Sequence, residues 1–123
     1  MKRTKTIPYC KSYILKSSVL KKKQELEKQG YRTRLGRTIK EEGKEYCKLF
    51  IYKDFNYHIL KWLESVEISV NVGKKDVLEA CEKHKERLKE ICKEFQTPCR
   101  IEYDTTRKKL YAITNKKEFS ITL

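Results

Sequence analysis

The chain has 123 residues, of which 38% are charged and 11% aromatic, and its formal net charge at pH 7 is +13. The aromatic content argues against a disordered chain, and no apolar stretch approaches the roughly 18 residues that span a membrane. The basic start also lacks the apolar core of a signal peptide. We therefore expect a cytoplasmic protein with one domain over residues 1–123, whose basic segment 1–11 forms a flexible tail.

The first half of the chain predicts a strand, a helix and a hairpin, in that order. Residues 12–16 suit a short strand, and the helix that follows over 19–29 ends at Gly30. Strands over 31–40 and 45–53 then flank a glycine-containing turn, because both alternate polar and apolar side chains.

The strand at 45–53 has two contrasting faces. One carries Cys47, Leu49 and Ile51, and the other carries Tyr46, Lys48, Phe50 and Tyr52. If the aromatic face were exposed, its rings could stack unpaired bases. Aromatic stripes are more often buried, however, so we expect either that this face is the core and the aliphatic face points elsewhere, or that both faces are covered.

The second half resembles the first in its order of elements. Asp54 can cap a short helix through residue 63, and the clearest alternation in the chain predicts a strand over 66–72. A long helix over 76–95 follows, with Pro98 beyond its end, and the last predicted strands cover 99–103, 109–114 and 119–123. The sequence therefore predicts an α+β fold, in which two strand-helix-strand-strand units build one antiparallel sheet with the two main helices on one face.

The positive charge is concentrated near the N-terminus. Residues 1–40 contain thirteen basic and two acidic side chains, whereas residues 41–99 have a net charge of −1 and residues 100–123 one of +3. Such a one-sided cationic field is typical of a polyanionic partner, and nucleic acid is the partner we expect. The residues predicted to contact phosphates are Lys2, Arg3, Lys5, Lys11, Lys21, Lys22, Arg32, Arg34, Arg37 and Lys48.

Within this set, Arg32 and Arg34 have the best-defined direction. They project from one face of a strand about 7 Å apart, close to the spacing of successive phosphates. DNA and RNA are not distinguished at this point. We expect a homodimer if the target is duplex DNA, because two-fold symmetry doubles the phosphate contacts.

No pattern in the sequence indicates catalysis. The phosphate-binding, dinucleotide-binding and acyl-transfer glycine motifs are missing, and no CxxC or HExxH pair suggests zinc. We expect His58 and His84 to be packing residues. The sequence therefore predicts a protein that is not an enzyme, with no catalytic residue, metal or cofactor.

Two alternatives remain open at this stage. The first is a small inhibitor, of the kind that viruses and plasmids encode as accessory proteins, which would dock on an acidic surface of a host enzyme. The second is a metal-independent ribonuclease that uses His58 as its general base. Charge alone separates none of these from a nucleic-acid-binding protein.

The five cysteines are expected to be structural, with at most one disulfide. The best pairs by position are Cys10 with Cys47 and Cys92 with Cys99. The scarcity of Asn and Gln beside abundant Lys and Glu favours a thermophilic source. Cytosolic proteins of hyperthermophiles can contain disulfides, so neither pair is excluded.

Overall fold

A computed structural model describes residues 5–10 and 12–123 of the chain. The α+β class with antiparallel strands is confirmed. The elements are β1 (Thr6–Pro8), β2 (Ile14–Leu15), α1 (Lys16–Gln29), β3 (Thr33–Glu41), β4 (Lys44–Tyr52), α2 (Phe55–Asn71), α3 (Val77–Lys83), α4 (Lys85–Phe95), β5 (Arg100–Asp104), β6 (Lys109–Ile113) and β7 (Glu118–Thr122).

The chain divides into two compact units at Tyr57 and His58, inside the first turns of α2. The residues through Tyr57 are called the first unit and those from His58 the second unit. The predicted single domain stays a prediction. The strands form two sheets, β1 to β4 in one and β5 to β7 in the other, so the prediction of one shared sheet is wrong.

In the first sheet β4 is the central strand. It pairs with β3 along one edge and with β1 and then β2 along the other, always antiparallel. The β3–β4 hairpin turns at Glu42 and Gly43, whose φ angles of 52° and 77° are the positive values that a tight two-residue turn requires. Short β1 was not foreseen, because three residues are too few to show a pattern.

The core of the first unit lies between α1 and one face of β4. Cys47, Leu49 and Ile51 are buried on that face, and α1 adds Val19 and Leu26 to the same core. Gly30 ends α1 in the left-handed conformation, with φ 109°. The core is therefore the aliphatic face of β4, and the expectation that the aromatic face would be buried there is wrong.

In the second unit, residues 66–71 of the strand predicted over 66–72 instead form the end of α2. Ile59, Leu63 and Val66 are buried at helical spacing, whereas Ile68 on the alternating pattern is 53% exposed. Helix-period burial thus outweighs the weak preference of β-branched residues for strands. The helix ends at Asn71, and at the following Gly73 a Cβ atom would lie 2.7 Å from the carbonyl oxygen of Ser69.

The predicted helix over 76–95 is divided at His84 into α3 and α4. The carbonyl of His84 accepts a hydrogen bond from the indole N–H of Trp62 at 2.8 Å, and its Nε2 lies 2.9 Å from the hydroxyl of Ser69. Both contacts tie the break in the helix to α2. A sequence cannot show such a break, because it depends on side chains twelve or more positions away.

The predicted strands at the C-terminus are confirmed as β5, β6 and β7, which pair in chain order. Their buried side chains are Leu110, Ala112 and Phe119. Asp54 also caps α2 as predicted, since its Oδ1 accepts a hydrogen bond from the Tyr57 N–H at 3.1 Å. None of the described helices combines the length and hydrophobicity that a membrane span requires.

Candidate nucleic-acid interface

Three cationic side chains lie over three aromatic rings on the face of the first sheet opposite α1. The Arg34 guanidinium carbon is 4.9 Å from the centre of the Phe50 ring, and that of Arg32 is 5.1 Å from the Tyr52 ring. The Lys48 Nζ is 4.9 Å from the Tyr13 ring. These six residues are called the cation–aromatic face. Each contact is within the distance at which a ring attracts a cation.

Strand pairing explains why these side chains meet. Arg34 lies directly opposite Phe50, and the Arg32 carbonyl accepts a hydrogen bond from the Tyr52 N–H at 2.9 Å. Opposite residues of antiparallel strands project from the same face. The alternation along β4 then places Lys48, Phe50 and Tyr52 in one row.

A bulge in β3 sets this register. The pairing with β4 shifts between Leu35 and Thr38, so Gly36 and Arg37 together oppose one position of β4. A Cβ atom at Gly36 would lie 2.7 Å from the ring carbon Cε2 of Phe50. Glycine therefore lets the Phe50 ring lie against the backbone of β3, while Arg37 is exposed at the bulge.

The cations of this face differ in how far they are neutralised. Arg32 forms an ion pair with Asp54 at 3.2 Å, and the Asp54 side chain is only 13% exposed. Among residues 5–10 and 12–123, Arg34, Arg37 and Lys48 form no ion pair with a carboxylate. These three therefore keep their full charge for an external anion.

The other predicted contact residues lie elsewhere. Lys21 and Lys22 are exposed on α1, in the layer that covers the opposite face of the sheet, and Lys22 pairs with Glu25 at 3.4 Å. Lys5 is exposed beside β1, where its carbonyl accepts a hydrogen bond from the Lys53 N–H. Lys2, Arg3 and Lys11 lie outside the described residues. The structure thus brings Arg32, Arg34 and Lys48 together but not the lysines of α1.

An acidic side chain on α1 is held by its own helix and by the first strand of the hairpin. Glu27 pairs with Lys23 and accepts a hydrogen bond from the Thr33 hydroxyl at 2.9 Å. These two hydrogen bonds lower the pKa of Glu27, that from Lys23 most strongly. Lys23, next to the predicted contact residues Lys21 and Lys22, is therefore neutralised within α1.

The rings of the interface were foreseen only in part. The sequence indicates that Phe50 and Tyr52 could stack bases but favours burial of their strand face, and it assigns no role to Tyr13. The exposure of these rings could have been inferred from Arg32 and Arg34. They lie two positions apart on one predicted strand, and the next strand carries the aromatic residues. Cations facing a row of rings indicate that the row borders water, since a buried cation requires a compensating charge.

Both histidines contact other side chains of the second unit. The His58 Nδ1 is 3.4 Å from an Arg87 nitrogen, and its ring centre is 5.4 Å from that of Phe95. Burial, followed by the nearby Lys83, lowers the pKa of His84. In the described parts of the chain, no three His, Cys, Asp or Glu side chains are grouped as metal ligands.

All five cysteines are among the described residues, and all are free thiols. Burial, with a smaller contribution from the neighbouring Cys92, raises the pKa of Cys99 to about 11. Burial also raises the pKa of Cys47, with a smaller contribution from Cys10. The two pairs singled out from the sequence are therefore neighbours in space, but neither is bonded.

Comparisons of the chain with protein-family models, with curated proteins and with solved structures find no match. The function must therefore be inferred from the surface of the first unit and from its chemistry.

Proposed function

We propose that this protein binds nucleic acid through the cation–aromatic face and does not act as an enzyme. One observation carries the proposal: Arg34 and Lys48 are held over aromatic rings on one sheet face without a carboxylate partner among the described residues. Their charge is oriented by ring contacts and is not neutralised by an ion pair. A polyanion that reaches this face meets cations already in position.

Phosphate groups fit this arrangement in spacing as well as in charge. Successive outward positions on a strand are about 6.8 Å apart, so Arg32 and Arg34 can each meet a different phosphate of one strand. Arginine also presents two parallel donors to a phosphate. Arg37, exposed at the bulge, extends the cationic surface.

A cytoplasmic location is part of the proposal. It is supported by the five free thiols, since reducing compartments keep cysteines unbonded. If the target is duplex DNA, a homodimer is also proposed, because a second copy doubles the number of phosphate contacts. The molar mass of the complex in solution would give its stoichiometry.

The direct test is fluorescence anisotropy with labelled DNA and RNA between 50 and 200 mM salt. If about six phosphates are contacted, the affinity should fall on the order of a thousandfold over this range, because counterions are released on binding. A protein that binds neither DNA nor RNA at the lowest salt would contradict the proposal. That result would favour an inhibitor that docks on an acidic protein surface.

Two double variants, each of which removes two positive charges, test which surface of the first unit binds nucleic acid. Arg34→Ala with Lys48→Ala should reduce the slope of log affinity against log salt by about two, as expected for two lost phosphate contacts. Lys21→Ala with Lys22→Ala removes the same charge from α1 and should change this slope by less than one. Equal effects of the two variants would mean that the binding surface is not the cation–aromatic face.

A further inference from the structure

We infer that the cation–aromatic face takes single-stranded nucleic acid, with unpaired bases stacked on its rings and guanidinium groups. This inference rests on the proposed function and specifies the ligand class of the same surface. The observation behind it is the row of aromatic rings on this face, because a surface that contacts only phosphates does not need rings.

The rings of this face are accessible within the first unit. Helix α1 packs against the aliphatic face of β4, and its buried residues Val19 and Leu26 point to that core. Phe50 and Tyr52 are partly exposed on the opposite face, and Tyr13 is 41% exposed. The sheet therefore leaves its aromatic row on the side that the helix does not cover.

The spacing of the rings favours a single strand over a duplex. Phe50 and Tyr52 are two residues apart on β4, which corresponds to about 6.8 Å along the strand. Bases in a duplex rise by only about 3.4 Å and are stacked on one another, so their planar faces are not available. An extended single strand can separate its bases and place one on each ring.

The cations are compatible with stacking, because a guanidinium group is itself planar and stacks on bases as rings do. A base can lie on the Arg34 guanidinium above Phe50, or on the ring when the arginine turns towards a phosphate. At the next position along the face, the Tyr13 ring can take a base when the Lys48 ammonium above it turns towards a phosphate. Stacking and phosphate neutralisation therefore use the same pairs of side chains.

The test compares three ligands of equal length at one salt concentration: a 12-nucleotide thymidine strand, the same strand with abasic sites in place of its bases, and a 12-base-pair duplex. Each stacked base strengthens binding about tenfold. We expect the thymidine strand to bind at least tenfold more tightly than the abasic strand, whose phosphates are unchanged, and more tightly than the duplex. A uridine strand of the same length distinguishes RNA from DNA as the source of the single strand.

Substitution of the rings provides the second arm. Tyr52→Leu and Phe50→Leu should each weaken binding of the thymidine strand by about five- to tenfold or more, because base–aromatic contacts are lost. The slope against salt should be unchanged, since no cation is removed. Tyr52→Phe keeps the ring and should bind as the unchanged protein does, and Tyr9→Leu is the matched control for an exposed tyrosine outside the face.

The possible outcomes separate this inference from the proposed function. Equal affinity for the thymidine and abasic strands, with no effect of Tyr52→Leu, would overturn the stacking inference while leaving phosphate binding intact. Tighter binding to the duplex than to the thymidine strand would overturn it as well. Failure to bind any of the ligands at low salt would overturn the proposed function itself. Thermal unfolding of each variant shows whether it is folded, and Tyr52→Leu still tests the loss of a ring if Phe50→Leu does not fold.

Discussion

The two units of this protein use their polar side chains differently. Residues through Tyr57 include 16 basic and 6 acidic side chains, whereas the second unit has 14 and 11. Among the described residues, four basic side chains of the first unit form ion pairs, compared with seven in the second. Most pairs of the second unit join side chains three or four positions apart.

The same contrast appears in the aromatic residues. In the second unit, Trp62 is 2% exposed and its indole N–H donates to the His84 carbonyl, so it serves packing and the join between helices. In the first unit, Phe50 and Tyr52 border the solvent-facing side of a sheet and contact arginines. The presence of aromatic residues in both units therefore does not show which of them are packed and which border solvent. The contacts of each side chain show this.

The largest expected effect concerns the cores of the two units. Leu49→Ala should lower the free energy of unfolding by about 2 to 5 kcal/mol, since Leu49 is 1% exposed and the truncation leaves a cavity. Leu63→Ala, at a fully buried position of the second unit, is the matched variant. Urea denaturation measures both losses.

Hydrogen exchange on Leu49→Ala tests whether the two units open independently. The single domain predicted from the sequence requires amide protection to fall on both sides of the Tyr57–His58 boundary. Protection lost only before that boundary would show that the first unit opens by itself, contrary to the prediction.

A smaller effect is expected for the contact that marks the helix break in the second unit. Trp62→Phe keeps an aromatic ring but removes the donor to the His84 carbonyl, which should cost about 1 to 3 kcal/mol. Ser69→Ala removes only the hydroxyl beside the imidazole and should cost less. Chemical denaturation ranks the two variants, and equal losses would show that the indole N–H has no special role.

In the first unit, Gly36→Ala tests whether the bulge shapes the binding face. The new Cβ atom would lie 2.7 Å from the Phe50 ring, so the ring must move, at a cost of about 1 kcal/mol. Binding of single-stranded DNA should weaken together with stability. A variant that is destabilised but binds unchanged would show that the position of Phe50 does not matter for the ligand.

The smallest effect is a pH dependence in the second unit. Because burial lowers the pKa of His84 below its ordinary value of 6.5, the unfolded chain takes up a proton that the folded chain resists. Stability should therefore be complete above about pH 6.5 and fall as the pH drops through and below this value. Urea denaturation at pH 7.5 and 5.0 measures the loss, which should be smaller in His84→Gln than in the matched variant His58→Gln.

The sequence alone predicts the α+β class, the β3–β4 hairpin with its turn, the three C-terminal strands and the end of α1 at Gly30. These features depend on local signals, such as alternation, glycine in a turn and a glycine after a helix, that each segment carries within itself. The concentration of positive charge near the N-terminus is also evident from the sequence, because counting charged residues requires no knowledge of their contacts.

Which strand and helix faces are buried depends instead on tertiary contacts. Without the bulge, the register near the turn, where Thr38 opposes Cys47, would place Arg34 opposite Ile51 and Leu35 opposite Phe50. The extra residue moves Arg34 to the Phe50 side and Leu35 to the Leu49 side, because a shift of one residue exchanges the faces of a strand. Likewise, residues 66–71 became helix because Val66 and Ser69 are buried at helical spacing, and such burial depends on residues far away in the chain.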